Sequence, residues 1–197
     1  MPRVSKAEAE KNRAAIEQVS SRLFREQGFH GISVADLMGA AGLTHGGFYG
    51  HFESKDALAA IACARAFEES EARWRKRVDD APDKAGALSA LIDGYLSARN
   101  RNAAGTGCPV AALANDVARE ADDKPVRAAF HDGLDNLLDI LASVQPDGDA
   151  EANRAAALAQ MATLAGALVL SRATQGTPLS NEVLAAAKAY LLAHVGK

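Results

Sequence analysis

Ile16, Val19, Leu23 and Phe24 recur at three- and four-residue spacing, which gathers them on one stripe of a helix. That period returns along the chain from Lys6 onward. The composition agrees with it. Of 197 residues 44 are alanine, the strongest helix former, whereas the valine, isoleucine and aromatic residues that a β fold draws on are scarce. An all-α fold is the expectation.

Helix punctuation divides the chain into about nine segments. The first helix runs from about Lys6 to Gln27 and is stopped by Gly28 and Gly31. Ser33 opens a second, with Asp36 three residues on in the place a capping box gives to Glu or Gln. Val34, Leu37 and Met38 form its buried side, and Gly39 to Gly42 end it. Thr44 is placed to cap a third, short helix. Ser54 caps a fourth that reaches Arg77 without a Gly or Pro, with Ala60, Cys63, Phe67 and Trp74 on one face. Five more helices are expected at 82–100, 109–120, 125–144, 149–173 and 180–194, separated by Gly, Pro and Asp clusters.

Several function classes drop out. Two cysteines and five histidines make neither a disulfide framework nor a zinc site, and no metal ligand or cofactor is expected. Residues 1–6 carry charge without a following apolar run, so they do not form a signal peptide. The uncharged stretch between Arg154 and Arg172 is too short and too weakly apolar for a membrane span. A reducing cytoplasm fits best. A net charge of −3 argues against indiscriminate coating of nucleic acid, which draws its strength from many phosphate-neutralising cations. There is no Gly-rich phosphate loop and no serine or cysteine motif with a His partner. His131 and Asp132 read as solvated surface, so no catalytic residue and no enzymatic activity is expected.

Two short helices joined by a tight glycine-containing turn form a helix-turn-helix, whose second helix enters the major groove in proteins that read DNA. Thr44, His45, Gly46, Gly47, Tyr49 and His51 are polar or very small, and Phe48 and Phe52, four apart, anchor the segment inward. Each glycine weakens a helix by roughly 1 kcal/mol relative to alanine but lets backbone amides approach phosphates or base edges closely.

The run from Gly42 to Leu58, Gly-Leu-Thr-His-Gly-Gly-Phe-Tyr-Gly-His-Phe-Glu-Ser-Lys-Asp-Ala-Leu, resembles the signature of the tetracycline-repressor (TetR/AcrR-type) family of bacterial transcriptional regulators. The resemblance covers about residues 6–60; beyond Arg65 it rests on helix number and length. It implies a homodimer in which residues 1–53 form a three-helix helix-turn-helix domain and residues 54–197 a larger helical domain for ligand binding and dimerisation. It further implies a repressor released from a palindromic double-stranded operator by a small-molecule inducer. Carried over by position, it assigns Thr44, His45, Gly46 and Gly47 to groove or phosphate contact. Tyr49, His51 and Lys55 fall to the DNA backbone, and Ser33 to capping the helix that steadies them. Gly50 departs from the pattern, since family members often carry a large or basic side chain there. Residues 1–60 hold seven basic and seven acidic residues, so affinity must come from placement and from paired subunits rather than from bulk charge.

For the larger domain, Phe67, Trp74, Leu91, Tyr95, Phe130, Leu134 and Leu137 are candidate lining residues and suggest an apolar or aromatic inducer. For each of them singly, ordinary core packing is the more common role; it is as a group that they suggest a lining. Cys108, in Gly105-Thr-Gly-Cys-Pro109, precedes a helix whose N-terminal dipole would favour a thiolate that senses electrophiles or oxidants, and the more common alternative is a buried, inert cysteine. Leu158, Met161, Ala162, Ala165, Leu168 and Val169 make one apolar stripe, and Val183, Leu184, Ala187, Leu191 and Leu192 a second. Paired with their symmetry mates they would build a four-helix dimer surface. The alternative is a helical small-molecule or thiol-redox sensing module that never binds DNA.

Overall fold

The computed structural model describes residues 5–146 and 148–195. Arg3, one of the seven basic residues counted above, lies outside them, as do the rest of residues 1–4 and Asp147. Among the described residues there are nine α-helices and no strand. The first two are α1 (Lys6–Gln27) and α2 (Val34–Ala40), followed by a 3-10 turn (His45–Gly50). Then come α3 (Lys55–Asp79), α4 (Lys84–Tyr95), α5 (Ala98–Asn102), α6 (Pro109–Val117), α7 (Pro125–Ser143), α8 (Ala150–Ala173) and α9 (Pro178–Leu192).

The caps form where short polar residues meet free backbone N–H groups. Ser5 accepts from the N–H of Glu8 at 3.2 Å, Ser54 from Ala57 at 3.0 Å and Asp149 from Ala152 at 2.7 Å. Gly28 closes α1 with φ +76°, in the left-handed region that favours glycine. Gly42, with φ +74°, turns the chain between α2 and the 3-10 turn.

Two expected helices come out differently. The 82–100 segment is two helices, because the Ser97 hydroxyl donates to the Gly94 carbonyl at 2.9 Å and accepts from the Asn100 N–H at 3.2 Å. The Asn100 amide also takes the Tyr95 carbonyl at 2.8 Å, so local side chains stop α4 and restart the chain as α5. The third helix is a six-residue 3-10 turn, and the Thr44 side chain makes no capping bond. Glycine occupies three of those six positions, which removes the propensity a full α-helix needs. The total of nine stays the same because one segment splits and one shortens. In addition α6 ends at Val117, and α9 starts at Pro178.

One continuous apolar cluster runs from Ile16 to Leu191. Helix α3 packs chiefly on α7 and on α1, and α8 on α9 and α7. Gly133 permits the α3–α7 approach: a Cβ there would stand 2.2 Å from the Phe67 ring. Helix α3 therefore begins beside the helix-turn-helix and ends deep in the larger helical layer.

Candidate nucleic-acid interface and ligand cavity

The 3-10 turn is pinned from inside and bare outside. Phe48 is fully buried and Phe52 nearly so, with ring centroids 5.7 Å apart, while Tyr49 stands 71% exposed. Thr44, His45, Gly46, Gly47 and Gly50 are exposed, and His51 is half-buried. A Cβ at Gly46 or Gly50 would meet nothing within 4 Å, and one at Gly47 only Met38 Cε at 3.7 Å. Packing within the chain therefore does not require glycine at these positions, and the bare backbone is left open to an outside partner.

The turn is held by residues from both flanks. Ser33 Oγ accepts from the Asp36 N–H at 3.1 Å and donates to its carboxylate at 2.5 Å, while the Ser33 N–H donates to the same carboxylate at 3.2 Å. This capping box is complete, and the Ser33 hydroxyl followed by its backbone N–H holds the Asp36 carboxyl below its usual value. Lys55 Nζ donates to the Ile32 carbonyl at 2.6 Å, tying the start of α3 to the start of α2. Arg13, which the sequence reading did not single out, donates to the His51 carbonyl and lies 4.6 Å above the Phe52 ring. The two partners are 38 residues apart, and no local pattern links them.

Of the eight candidate ligand-lining residues, Trp74, Tyr95 and Cys108 come together on one cavity of about 690 Å³. Phe67 instead packs edge-to-face on Phe130 at 5.3 Å, Leu91 and Leu137 are core, and Leu134 is half-buried against the core. The wall also differs in chemistry from the apolar lining expected. Ser70, Arg73 and Arg77 from α3 face it, with Ser97, Arg99 and Asn100 from the α4–α5 region.

Cys108 is 3% exposed, and burial raises its thiol above the ordinary value despite the N–H groups of Val110 and Ala111 at the helix start. Desolvation outweighs the helix dipole, so the expectation of a favoured thiolate is corrected. Cys63, in the core, is pushed up to about 12, chiefly by burial. Among the described residues no three metal-ligating side chains come together.

The proposed dimer stripes are half consumed internally. Met161, Leu168, Leu184 and Leu191 are buried within the chain, and Ala165, Val169, Val183, Ala187 and Leu192 are half-buried. Only Leu158 and Ala162 of the set face outward, joined by Leu170, Leu179 and Tyr190, which had not been assigned. The period was read correctly, but two stripes on one helix cannot be told apart by spacing alone. The expectation that the stretch between Arg154 and Arg172 is too short and too weakly apolar for a span is corrected: α8 is by length and composition long and apolar enough to cross a membrane. Core helices of soluble proteins also are, and a third of its apolar window is buried against the rest of the chain.

The fold is thus all-helical among the described residues, with an N-terminal helix-turn-helix whose second element is an outward-facing turn. The family described as bacterial regulatory proteins, tetR family, matches residues 16–61. The HTH-type transcriptional regulator AcrR of Shigella flexneri is 41% identical over 58 residues, covering 29% of this chain and 27% of that protein. The HTH-type transcriptional repressor KstR2 of Rhodococcus jostii is 28% identical over 80 residues, covering 41% and 39%. The chain thus matches well under half the length of these two relatives. A TetR transcriptional regulator from Chloroflexus aurantiacus superposes with a TM-score of 0.78 at 24% identity over 97% of both chains. The likeness to the tetR family is thus one of sequence over residues 16–61 and one of fold over nearly the whole chain.

Proposed function

We propose that this protein is a cytoplasmic, homodimeric DNA-binding transcriptional regulator, a repressor released from its operator when a small molecule enters the larger domain. The observation that carries this reading is the recognition turn. It is anchored by Phe48 and Phe52, offers Tyr49 to solvent, and has bare glycine backbone on either side.

DNA contact falls to Thr44, His45, Gly46, Gly47, Tyr49, His51 and Lys55, steadied by Ser33 and Arg13. Residues 1–53 read the duplex, and residues 54–197 bind the effector and the second subunit. The dimer surface is the outward side of α8 and α9, where Leu158, Leu170, Leu179 and Tyr190 leave large apolar groups in solvent.

Release follows from α3. Lys55 holds the helix-turn-helix at one end, and Arg73, Trp74 and Arg77 line the cavity at the other. A ligand that tilts α3 changes the separation of the two recognition turns. Two such elements fit successive major grooves only at about 34–36 Å, so a small tilt lowers affinity.

Selection of bound fragments from random duplexes tests the reading. An enriched inverted repeat with half-sites about one helical turn apart supports it, and absence of any enrichment contradicts it.

A further inference from the structure

Arg73 and Arg77 are half-buried and Arg99 is exposed, and all three line the cavity; among the described residues none of them has a hydrogen-bonding or salt-bridge partner. The cavity wall carries no Asp or Glu. Glu69, one turn before Arg73 on α3, favours the Arg73 cation but is shared with Arg25 at 2.9 Å and Arg65 at 3.5 Å. Burial and the neighbouring Arg25 charge disfavour the Arg73 cation as it stands.

Three further residues shape the wall. Tyr95 lines the same cavity, 3% exposed, and its hydroxyl faces the Cys108 sulfur without forming a geometrically sound hydrogen bond. A buried hydroxyl left unpaired is costly, and this one is closed off from the cavity, so Tyr95 contributes its ring to the wall. Gly94 makes room for one of the cations: a Cβ there would lie 2.7 Å from Arg77 Nε, so the guanidinium rests across bare backbone. Trp74, edge-to-face with Tyr95 at 6.0 Å, supplies an aromatic wall.

We propose that this cavity binds a small aromatic anion, its charged group held by Arg73, Arg77 and Arg99 and its ring against Trp74. Planar guanidinium forks suit a carboxylate or sulfonate, and an anion offsets the repulsion that Arg25 and Arg77 exert on Arg73. This deepens the effector-responsive reading above and rests on it for its regulatory meaning. The site itself stands on the cavity alone.

Trp74 is the single tryptophan of the chain, so its emission reports directly on the cavity. The full-length protein, without DNA, is titrated with 1-naphthoate, benzoate, naphthalene-2-sulfonate, the neutral 1-naphthamide and inorganic phosphate. The expected result is a saturable change with 1-naphthoate, at least tenfold tighter than with 1-naphthamide or phosphate and weakened by added salt. Arg73→Gln should weaken it at least fivefold. Gly94→Ala, which displaces only the flexible end of Arg77 and favours the helix, should do so with the fold intact by circular dichroism.

Equal binding of the amide, equal binding of phosphate, unchanged affinity in folded Gly94→Ala, or no saturable response to any of the three organic anions would overturn the proposal. Fragments recovered by the duplex selection are then challenged with 1-naphthoate. An anion that binds without affecting the DNA complex defeats the regulatory reading and leaves the site standing. Intact DNA binding with no anion response does the reverse.

Discussion

Arg25 on α1, only 5% exposed, donates through Nη2 to the Glu69 carboxylate on α3 at 2.9 Å, and through Nη1 to the Gly107 carbonyl at 3.1 Å. Its Nε takes the Ser21 carbonyl at 2.9 Å. One guanidinium therefore joins the helix that carries the helix-turn-helix, the helix that lines the cavity, and the loop that leads into Cys108. It braces α1 against α3 beside the ligand site, and its hydrogen bonds are charge-assisted throughout.

Glu69→Ala should leave Arg25 buried with only neutral acceptors and destabilise the chain by about 1–3 kcal/mol. Chemical denaturation measures the cost. Any change in DNA affinity caused by a cavity ligand should shrink in the same variant, because the brace between α1 and α3 is gone.

Gly28→Ala forces a side chain into φ +76° and places its Cβ 2.5 Å from Asp116 Oδ2, which accepts from the Phe29 N–H at 3.2 Å. With ψ at 169° this is a backbone region essentially reserved for glycine and costs other residues about 1–3 kcal/mol, so the melting temperature should fall by several degrees. Gly39→Ala is the control. Its Cβ meets nothing, its φ is not positive, and it sits inside α2, so stability should hold or rise.

Gly46→Ala separates stability from recognition. The added methyl meets nothing within 4 Å, so the free protein should unfold within about 0.5 kcal/mol of the original. If the bare backbone is there for close approach, affinity for selected duplexes falls at least tenfold. Unchanged affinity would remove Gly46 from the interface.

The Asp36 carboxyl is held below its ordinary value by Ser33, so its folded pKa lies below its unfolded one. The capping box therefore adds stability that is fully present above the unfolded value near 4. That stability is lost as the pH falls through the folded value. Ser33→Ala should destabilise by about 1 kcal/mol at neutral pH, and the gap from the original protein should narrow under acid. A gap that widens on acidification contradicts this.

Neither thiol should react readily in the folded protein. Burial raises both Cys63 and Cys108, and both are nearly inaccessible. Alkylation by iodoacetamide at pH 7.5 should run at least tenfold slower than in guanidinium, as mass spectrometry would show.

Much of this was legible in the sequence because it is written locally. Ser33 with Asp36, Ser54 before α3, and Gly28 after α1 announce themselves within four residues, and the Phe48/Phe52 spacing identifies which side of the turn is buried. What escaped is what depends on distant chain segments. Arg13 meets His51 and Arg25 meets Gly107 across 38 and 82 residues. The cationic wall is assembled from α3 and the α4–α5 break, and that break itself rests on the Ser97 and Asn100 side chains competing with the helix. Along α8, apolar spacing marks Met161 and Leu158 alike, yet one enters the core and the other faces solvent.

The central claim is that the recognition turn touches the duplex while α8 and α9 touch a second copy. Photo-crosslinking from benzoylphenylalanine placed at position 49 or at position 190, in the presence of selected duplex, measures it most directly. The account predicts protein–DNA adducts from position 49 and chain-to-chain adducts from position 190. Chain-to-chain or no adducts from position 49, or DNA adducts from position 190, would contradict it.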